Sequence, residues 1–178
     1  MSEQIVRLPS VHDDEDIKYN EKFYHETYST IDQILPRLYL SNDYVARNRK
    51  ILNDNHITHI LNLTTNIPNM YEPEITYKKI IIFDFESQNI SLYFDEAYEF
   101  IDEALKDEKN AVLVHCNAGI SRSASFIIAY LMKKNLFKSY REALNYTRRK
   151  RAIVSPNKGF ERQLIGLEKK RKVKCKIM

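Results

Sequence analysis

The sequence predicts an α/β fold in which a central, mostly parallel sheet is flanked by helices. Short apolar runs of strand character alternate along the chain with amphipathic, helix-like segments. The 178 residues, 43% hydrophobic and 29% charged, suit one globular domain that buries a sizeable core without disulfides or bound metal. In such folds, ligands bind at the carboxyl ends of the strands.

The first half of the chain begins with a polar arm, residues 1–27, which carries an acidic cluster at residues 13–16 and is expected to be loose. Three strands and one helix are then predicted. The strands cover residues 33–40, with Pro36 marking an irregularity, residues 56–63 and residues 76–83. The helix covers residues 42–55, with Ser41 or Asn42 as its cap.

The second half alternates helix and strand in the same way. The spacing of Phe94, Ala97, Ile101 and Leu105 predicts an amphipathic helix over residues 91–106. A strand over residues 111–114 and a helix over residues 123–133 follow. A capping box of Ser139 and Glu142 opens a helix that ends near residue 150, and Ser155 with Pro156 begins a last helix. These elements are expected to form one folded domain over residues 28–168.

The most informative segment is the loop between the 111–114 strand and the helix that follows it. A strand, a tight loop and a helix N-terminus form an anion-binding site, because backbone N–H groups point inward and the helix dipole is positive there. Cys116 stands in this loop, where the same field favours a thiolate. Arg122, six positions later, adds a planar fork that can grip two phosphate oxygens. The loop thus combines a nucleophile with a phosphate receptor.

The competing interpretation is that Cys116 is a small buried core residue. It is weakened because the strand ends at the cysteine, Gly119 supplies a permissive backbone, and Ser and Arg follow at fixed offsets. A Walker-type nucleotide loop is excluded, since no G-x-x-x-x-G-K-[ST] sequence occurs. The five histidines show no paired spacing of metal ligands, so no metal and no cofactor are expected.

The sequence H-C-x5-R-S at residues 115–123 resembles the signature of the protein tyrosine phosphatase superfamily, and NAGISRS resembles its dual-specificity branch. Residues 34–40, 57–62, 129–132 and 155–164 are also similar to that family, so the resemblance covers about residues 31–168. Ser41 stands where the family often has Gly, which changes a turn. The resemblance implies the cysteine-phosphatase fold and hydrolysis of phosphotyrosine and phosphoserine or phosphothreonine in proteins through a cysteinyl-phosphate.

The acid that protonates the leaving oxygen could be Asp84 or Glu86, and residue chemistry alone does not choose between them. The resemblance does, because D-x3-Q-N at residues 84–89 is similar to the family's general-acid loop and aligns Asp84. It also implies the remaining roles. These are Cys116 as nucleophile, Arg122 for phosphate binding and transition-state stabilisation, Ser123 for assisting thiolate departure, His115 for ordering the loop, and Asn117, Ala118, Gly119, Ile120, Ser121 and Arg122 for binding substrate.

Two further functions stay open alongside a protein phosphatase. The segment NAGISRSASFIIAY also resembles the phosphoserine/threonine/tyrosine-interacting pseudophosphatases, which carry Gly at the nucleophile position, whereas this chain has Cys116. A phosphoprotein-binding module without turnover is therefore one alternative, and an RNA or phosphoinositide phosphatase is another. The basic run at residues 148–151 suits acidic substrates, although a solvated helix end is the favoured interpretation.

The net charge of +4 arises from the tail, residues 169–178, which carries six Lys and Arg and no acid. Removing these six charges leaves −2 for the rest, so no nucleic-acid partner is expected. Cys175 stands in a C-terminal C-a-a-X sequence that favours farnesylation, with the basic run as second membrane signal. A solvated tail or a nuclear localisation signal are the alternatives.

With only two cysteines, one of them needed as a thiolate, a reducing compartment is indicated. The chain has no run of about 18 apolar residues and no secretory signal, so we expect a cytoplasmic protein, associated with membrane if Cys175 is prenylated. The nucleus is the alternative. Phosphorylated proteins are the expected partners.

Overall fold

The computed structural model describes the backbone of residues 29–177 and the side chains of residues 29–171. The N-terminal arm with its acidic cluster and the side chain of Cys175 lie outside the described residues, so both predictions about them stay predictions. No helix in the described part of the chain combines the length and the apolar composition needed to cross a membrane.

A five-stranded sheet, predominantly parallel as predicted, forms the centre of the described chain. Its spatial order is β1-β2-β5-β3-β4, and only the β1–β2 pair is antiparallel. Ser41 of β2 and Asn62 of β3 both lie in register with His115 of β5, so three strands end together where the Cys116 loop begins. The strands are Asp32–Leu35 (β1), Leu38–Ser41 (β2), His59–Asn62 (β3), Thr76–Lys79 (β4) and Val112–His115 (β5).

Helices cover both faces of this sheet. Because side chains alternate along a strand, Leu38, Leu61 and Val112 face one core while Leu113 and Ile60 face the other. The larger core contains α3 to α6, and the smaller one contains α1 and α2. The helices are Asp43–Ala46 (α1), Arg49–Asp54 (α2), Phe94–Ala104 (α3), Arg122–Lys133 (α4), Tyr140–Lys150 (α5) and Lys158–Ile177 (α6), with a 3₁₀ turn at Ser91–Tyr93.

Helix α4 lies at the centre of the larger core, since every residue from Ser123 to Met132 is buried. A helix that is apolar on all sides must be surrounded, and here the sheet, α3, α5 and α6 supply the surroundings. The loop that begins at Cys116 therefore ends in a helix whose residues from Ser123 to Met132 are all buried. The predicted helix over residues 123–133 is confirmed.

The single strand predicted over residues 33–40 was wrong, because a tight turn divides it into β1 and β2. Pro36 cannot donate a ladder hydrogen bond, and Arg37 adopts a left-handed backbone with φ of 64°. The Arg37 guanidinium donates hydrogen bonds to the backbone carbonyls of Leu105, Asp107 and Asn110, at 2.7–3.0 Å. This long-range anchoring holds the turn, and no local pattern reveals it.

The helix predicted over residues 42–55 was also wrong in extent, since it is two short helices. Asn42 is the cap of the first, accepting a hydrogen bond from Val45 N at 3.1 Å. Asn48 then interrupts the helix, because its side chain accepts from Ile51 N at 3.2 Å and caps α2. The strands predicted over residues 56–63 and 76–83 are each shorter, since β3 covers His59–Asn62 and β4 ends at Lys79.

The capping box at Ser139 and Glu142 is present as predicted, and α5 ends at Lys150. The start predicted for the last helix was wrong. Ser155 donates its backbone N–H to Ile120 O instead of capping, and α6 begins at Lys158. Asn157 is the cap, since its Oδ1 accepts a hydrogen bond from Phe160 N at 2.9 Å.

Candidate active site

The backbone of the loop at residues 116–121 turns its carbonyl groups away from its own centre. Asn117 O accepts from Asp43 N at 3.0 Å, and Ile120 O accepts from Ser155 N at 2.9 Å. Ala118 O and Gly119 O both accept from the Arg151 guanidinium, at 3.3 and 2.9 Å. Since C=O and N–H point in opposite directions across a peptide plane, the N–H groups that follow these carbonyls face the loop interior.

Gly119 is required at the tightest point of this loop. Its φ is +70°, in the left-handed region that favours glycine. A Cβ atom at this position would lie 2.7 Å from Ser41 O and 2.8 Å from Arg151 Nη2. In this conformation Gly119 N donates a hydrogen bond to the Cys116 sulfur at 3.3 Å.

Cys116 lies at the bottom of the loop with only 1% of its surface exposed. Its Sγ accepts from Gly119 N and lies 3.1 Å from Ser123 Oγ, which is itself fully buried in the first turn of α4. The sulfur thus faces hydrogen-bond donors and the positive end of a helix, an arrangement suited to a nucleophile that carries negative charge.

Arg122 holds its guanidinium flat against the loop. Nη2 donates to Asn117 Oδ1 at 3.1 Å and Nη1 donates to Ile82 O at 3.2 Å. Its Nε is buried and has no hydrogen-bond partner within the described residues, the Asp84 carboxylate being 3.6 Å away. A buried N–H without an acceptor costs about 1–3 kcal/mol, so this site favours an anion whose oxygen can accept from Nε.

The structure separates the two acidic candidates. Asp84 Oδ1 accepts from Ser121 Oγ at 2.7 Å and from Asn157 Nδ2 at 2.8 Å, which turns Oδ2 towards Arg122. Glu86 instead pairs with Arg162 at 2.9 Å on the surface. Of these two carboxylates, only that of Asp84 lies at the loop.

His115 is 1% exposed at the end of β5, and its Nδ1 lies 3.4 Å from the carbonyl oxygen of Cys116. Burial lowers its pKa to about 4, and the charges of Lys79, Arg122 and Arg47 act in the same direction. The neutral imidazole therefore persists at physiological pH and lies against the backbone of the nucleophile, which suits ordering of the loop rather than proton transfer.

Arg151 is a site residue that the sequence analysis missed, since the run at residues 148–151 was interpreted as a solvated helix end. Its side chain is 2% exposed, whereas the other three members are exposed. Besides the two loop carbonyls, it bonds Thr30 Oγ1 at 3.1 Å and Asp32 Oδ2 at 2.5 Å. The local signals are that Arg151 follows buried Thr147 at the i, i+4 spacing of a helix face and stands next to the apolar segment at residues 152–154.

Within the described residues, no cluster of three or more His, Cys, Asp or Glu side chains could hold a metal ion. The chemical groups that meet at the loop are instead a thiol, an unpaired guanidinium N–H and a carboxyl group. Together they can bind a tetrahedral anion, attack its central atom and protonate a leaving oxygen.

Residues 38–170 match the family model described as "Dual specificity phosphatase, catalytic domain". The chain belongs to this family. It is 48% identical over 140 residues to human dual specificity protein phosphatase 7, covering 77% of this chain but 33% of the relative. It is 37% identical over 171 residues to dual specificity protein phosphatase 1 of Arabidopsis thaliana, covering 88% of this chain and 85% of the relative.

Among solved structures, this dual specificity phosphatase fold is similar to the human tyrosine phosphatase-like serine/threonine/tyrosine-interacting protein. The TM-score is 0.72 at 34% identity, over 82% of this chain and 97% of that one. The chain spans about a third of the length of human dual specificity protein phosphatase 7, and the region of this chain that matches the family model is the catalytic domain. The fold predicted from sequence, a mostly parallel sheet of the dual-specificity type, is confirmed.

Replacing Arg151 tests its support of the loop. Arg151→Ala leaves the carbonyls of Ala118 and Gly119 and the Asp32 carboxylate without their partner, so we expect a loss of about 3–5 kcal/mol in the free energy of unfolding. Arg141→Ala, an exposed arginine of α5, is the matched control and should change it by less than about 0.5 kcal/mol. Urea denaturation measures both, and equal midpoints for the two variants would contradict the assignment.

The buried, neutral imidazole of His115 should make the free energy of unfolding depend on pH. The unfolded chain binds the imidazole proton near pH 6.5 and the folded chain only near pH 4, so stability falls as pH decreases through this window. The free energy of unfolding that is lost through His115 should total about 3 kcal/mol. Denaturation of wild type and His115→Gln at several pH values isolates this contribution. Parallel stability curves for the two proteins between pH 4 and 6.5 would show that the ring is not buried neutral.

Proposed function

We propose that this protein is a phosphatase that removes phosphate from phosphotyrosine and from phosphoserine or phosphothreonine in proteins, through a cysteinyl-phosphate intermediate. The observation that carries the proposal is the convergence of three groups on one loop. Cys116 Sγ lies at its bottom, Arg122 presents a buried Nε that makes no hydrogen bond within the described residues, and Asp84 Oδ2 forms an ion pair with that nitrogen at 3.6 Å.

In the first step, the Cys116 sulfur attacks phosphorus in line with the ester oxygen. An S–P bond forms as the P–O bond breaks, and Asp84 Oδ2 gives its proton to the departing oxygen. The equatorial oxygens accept hydrogen bonds from the inward N–H groups of Ala118, Ile120 and Ser121 and from Arg122. Stabilisation of this kind is effective because the donors are already oriented before charge develops.

In the second step, the ionised Asp84 takes a proton from water, whose oxygen attacks phosphorus. The S–P bond breaks, and its electron pair returns to Cys116. Ser123 Oγ, 3.1 Å from the sulfur, donates a hydrogen bond to the departing thiolate. Inorganic phosphate leaves, and Arg122 Nε is again without an acceptor.

Turnover is favoured over phosphoprotein binding alone because the acid is held in place. A binding module needs the anion site, but it has no use for a carboxyl group that two donors orient towards the loop. Phosphorylated proteins are accordingly the proposed substrates. An RNA or phosphoinositide substrate finds no specific support in the geometry of the described residues.

We also propose that, in a chain that ends at Met178, Cys175 is farnesylated and holds the enzyme at the cytoplasmic face of anionic membranes. One prenyl chain anchors a protein only marginally, so a second signal is needed. The basic tail supplies it, since each Lys or Arg near an anionic surface contributes about 1 kcal/mol.

Cys116→Ser should abolish hydrolysis of aryl phosphates and phosphopeptides, because the hydroxyl is not ionised.

Asp84→Ala should lower kcat on phosphopeptides by about 10²–10⁴-fold. Glu86→Ala is the matched control and should retain activity. Steady-state assays distinguish the outcomes. A wild-type protein that binds phosphopeptides without hydrolysing them would favour the binding module. Near-normal rates in Asp84→Ala with loss of activity in Glu86→Ala would assign the acid role to Glu86.

The lipid proposal is tested by the intact mass of protein expressed in eukaryotic cells with the chain ending at Met178. We expect the added mass of a farnesyl group, with removal of the last three residues, and its absence in Cys175→Ser. Binding to anionic vesicles should require both the lipid and the basic run. An unmodified mass would leave the basic tail without a membrane role.

A further inference from the structure

We propose that the first two turns of α6 hold the acid loop, defined here as residues 84–91, at both of its ends. In this arrangement Asn157 and Gln163 are positioning residues for proton transfer by Asp84. The inference rests on the proposed function, because it concerns the acid of that reaction.

Asn157 holds the carboxylate end of the acid loop. Its Oδ1 accepts from Phe160 N at 2.9 Å as the cap of α6, so its Nδ2 must face the other way and donates to Asp84 Oδ1 at 2.8 Å. Its backbone N–H donates to Ser121 Oγ at 3.0 Å, and this hydroxyl donates to the same Asp84 oxygen. Because Oδ1 already accepts two hydrogen bonds, the transferable proton resides on Oδ2.

Gln163, about two turns into α6, holds the other end. Its Oε1 accepts from Ile90 N at 2.8 Å and from Ser91 N at 3.0 Å, while its Nε2 donates to Gln88 O at 2.8 Å. One amide side chain therefore satisfies three backbone groups of the acid loop. The opposite roles of Oε1 and Nε2 fix the orientation of the amide and the place of the loop relative to the helix.

Between these two ends the loop and the helix touch backbone to backbone. A Cβ atom on Gly159 would lie 1.9 Å from Glu86 O, so only glycine allows this contact. The neighbouring Arg162–Glu86 ion pair is exposed on both sides and adds little. Helix α6 thus contacts the acid loop along its whole length.

The acid loop needs this support because it belongs to no strand or α-helix. Residues 80–89 leave the sheet after β4, and within residues 84–89 the backbone closes a single turn, from Gln88 N to Phe85 O. A misplacement of about 1 Å in a reacting group can cost about 10²-fold in rate. Loss of either amide should therefore impair protonation of the leaving group while the anion-binding loop stays intact.

The test uses the dependence of kcat/KM on the leaving group, since this parameter reports events up to its departure. Phenyl phosphate releases a basic phenolate that needs the acid, whereas a fluorinated coumarin phosphate releases a stable anion that does not. For Asn157→Ala and Gln163→Ala we expect kcat/KM on phenyl phosphate to fall about 10–100-fold and on the coumarin ester no more than about 3-fold. Lys169→Gln, an exposed change on the same helix, should alter neither.

Two further variants distinguish a loss of positioning from a general loss of structure. Gln163→Glu keeps an acceptor for Ile90 N and Ser91 N but repels Gln88 O, so it should show an intermediate, leaving-group-dependent loss. Adding Gln163→Ala to Asp84→Ala should cause no further loss on phenyl phosphate, because the acid it positions is already absent.

The outcomes separate this inference from the proposed function. If Asp84→Ala shows the leaving-group-dependent loss and the α6 variants do not, or if they lose activity equally on both esters, the positioning role is wrong while the function stands. If the wild type hydrolyses neither ester, the proposed function itself fails.

Discussion

The structure of the site depends on one constraint, that the loop after β5 keeps its carbonyl groups turned outward. Four consecutive carbonyls, from Asn117 to Ile120, accept hydrogen bonds from groups outside the loop. Two of them share the guanidinium of Arg151, whose charge is balanced by Asp32. Without these acceptor contacts the peptide planes could rotate, and the inward N–H groups that suit a phosphate would be lost. The anion site is thus maintained by hydrogen bonds on the side of the loop away from the anion.

Cys116 and Asp84, the proposed nucleophile and acid, are supported by different parts of the fold, and this division suits the chemistry proposed for each. Cys116 follows a central strand and precedes the fully enclosed helix α4, so the sulfur has little freedom. Asp84 lies on a segment outside the sheet, where side-chain amides and a hydroxyl determine its place. Arg122 lies between them and reaches both supports, through Asn117 in the loop and Ile82 in the segment that carries the acid. It therefore links the two halves of the site even before a phosphate is bound.

The elements that the sequence predicts correctly are formed by residues close together in the chain. The β5 strand, the loop and α4 are contiguous, and the capping box of α5 spans four residues, so their residues alone predict them. The wrong predictions concern places where contacts between residues far apart in the sequence determine the backbone conformation. An example is Arg37, which binds three carbonyls about 70 residues away. Arg151 was missed for the same reason, because its neighbours Arg148 to Lys150 have the same charge and only the fold buries one of them. Helical periodicity alone places Arg151 on the same face as buried Thr147, but the identical charge of its neighbours favours a solvated end.

The choice between Asp84 and Glu86 shows how a short-range rule and a long-range contact combine. Along the extended segment the side chains alternate: Ile82 is buried and Asp84 faces the loop, whereas Phe83 and Phe85 are 48% and 65% exposed with their rings stacked 5.9 Å apart. By alternation alone, Glu86 would face the loop as Asp84 does. It does not, because the chain turns from Phe85 to Gln88 and Glu86 is drawn to Arg162 at the surface. Which of the two carboxylates lies at the loop is thus decided by where the extended segment ends, and helix α6, packed against Glu86 through Gly159, lies where it ends.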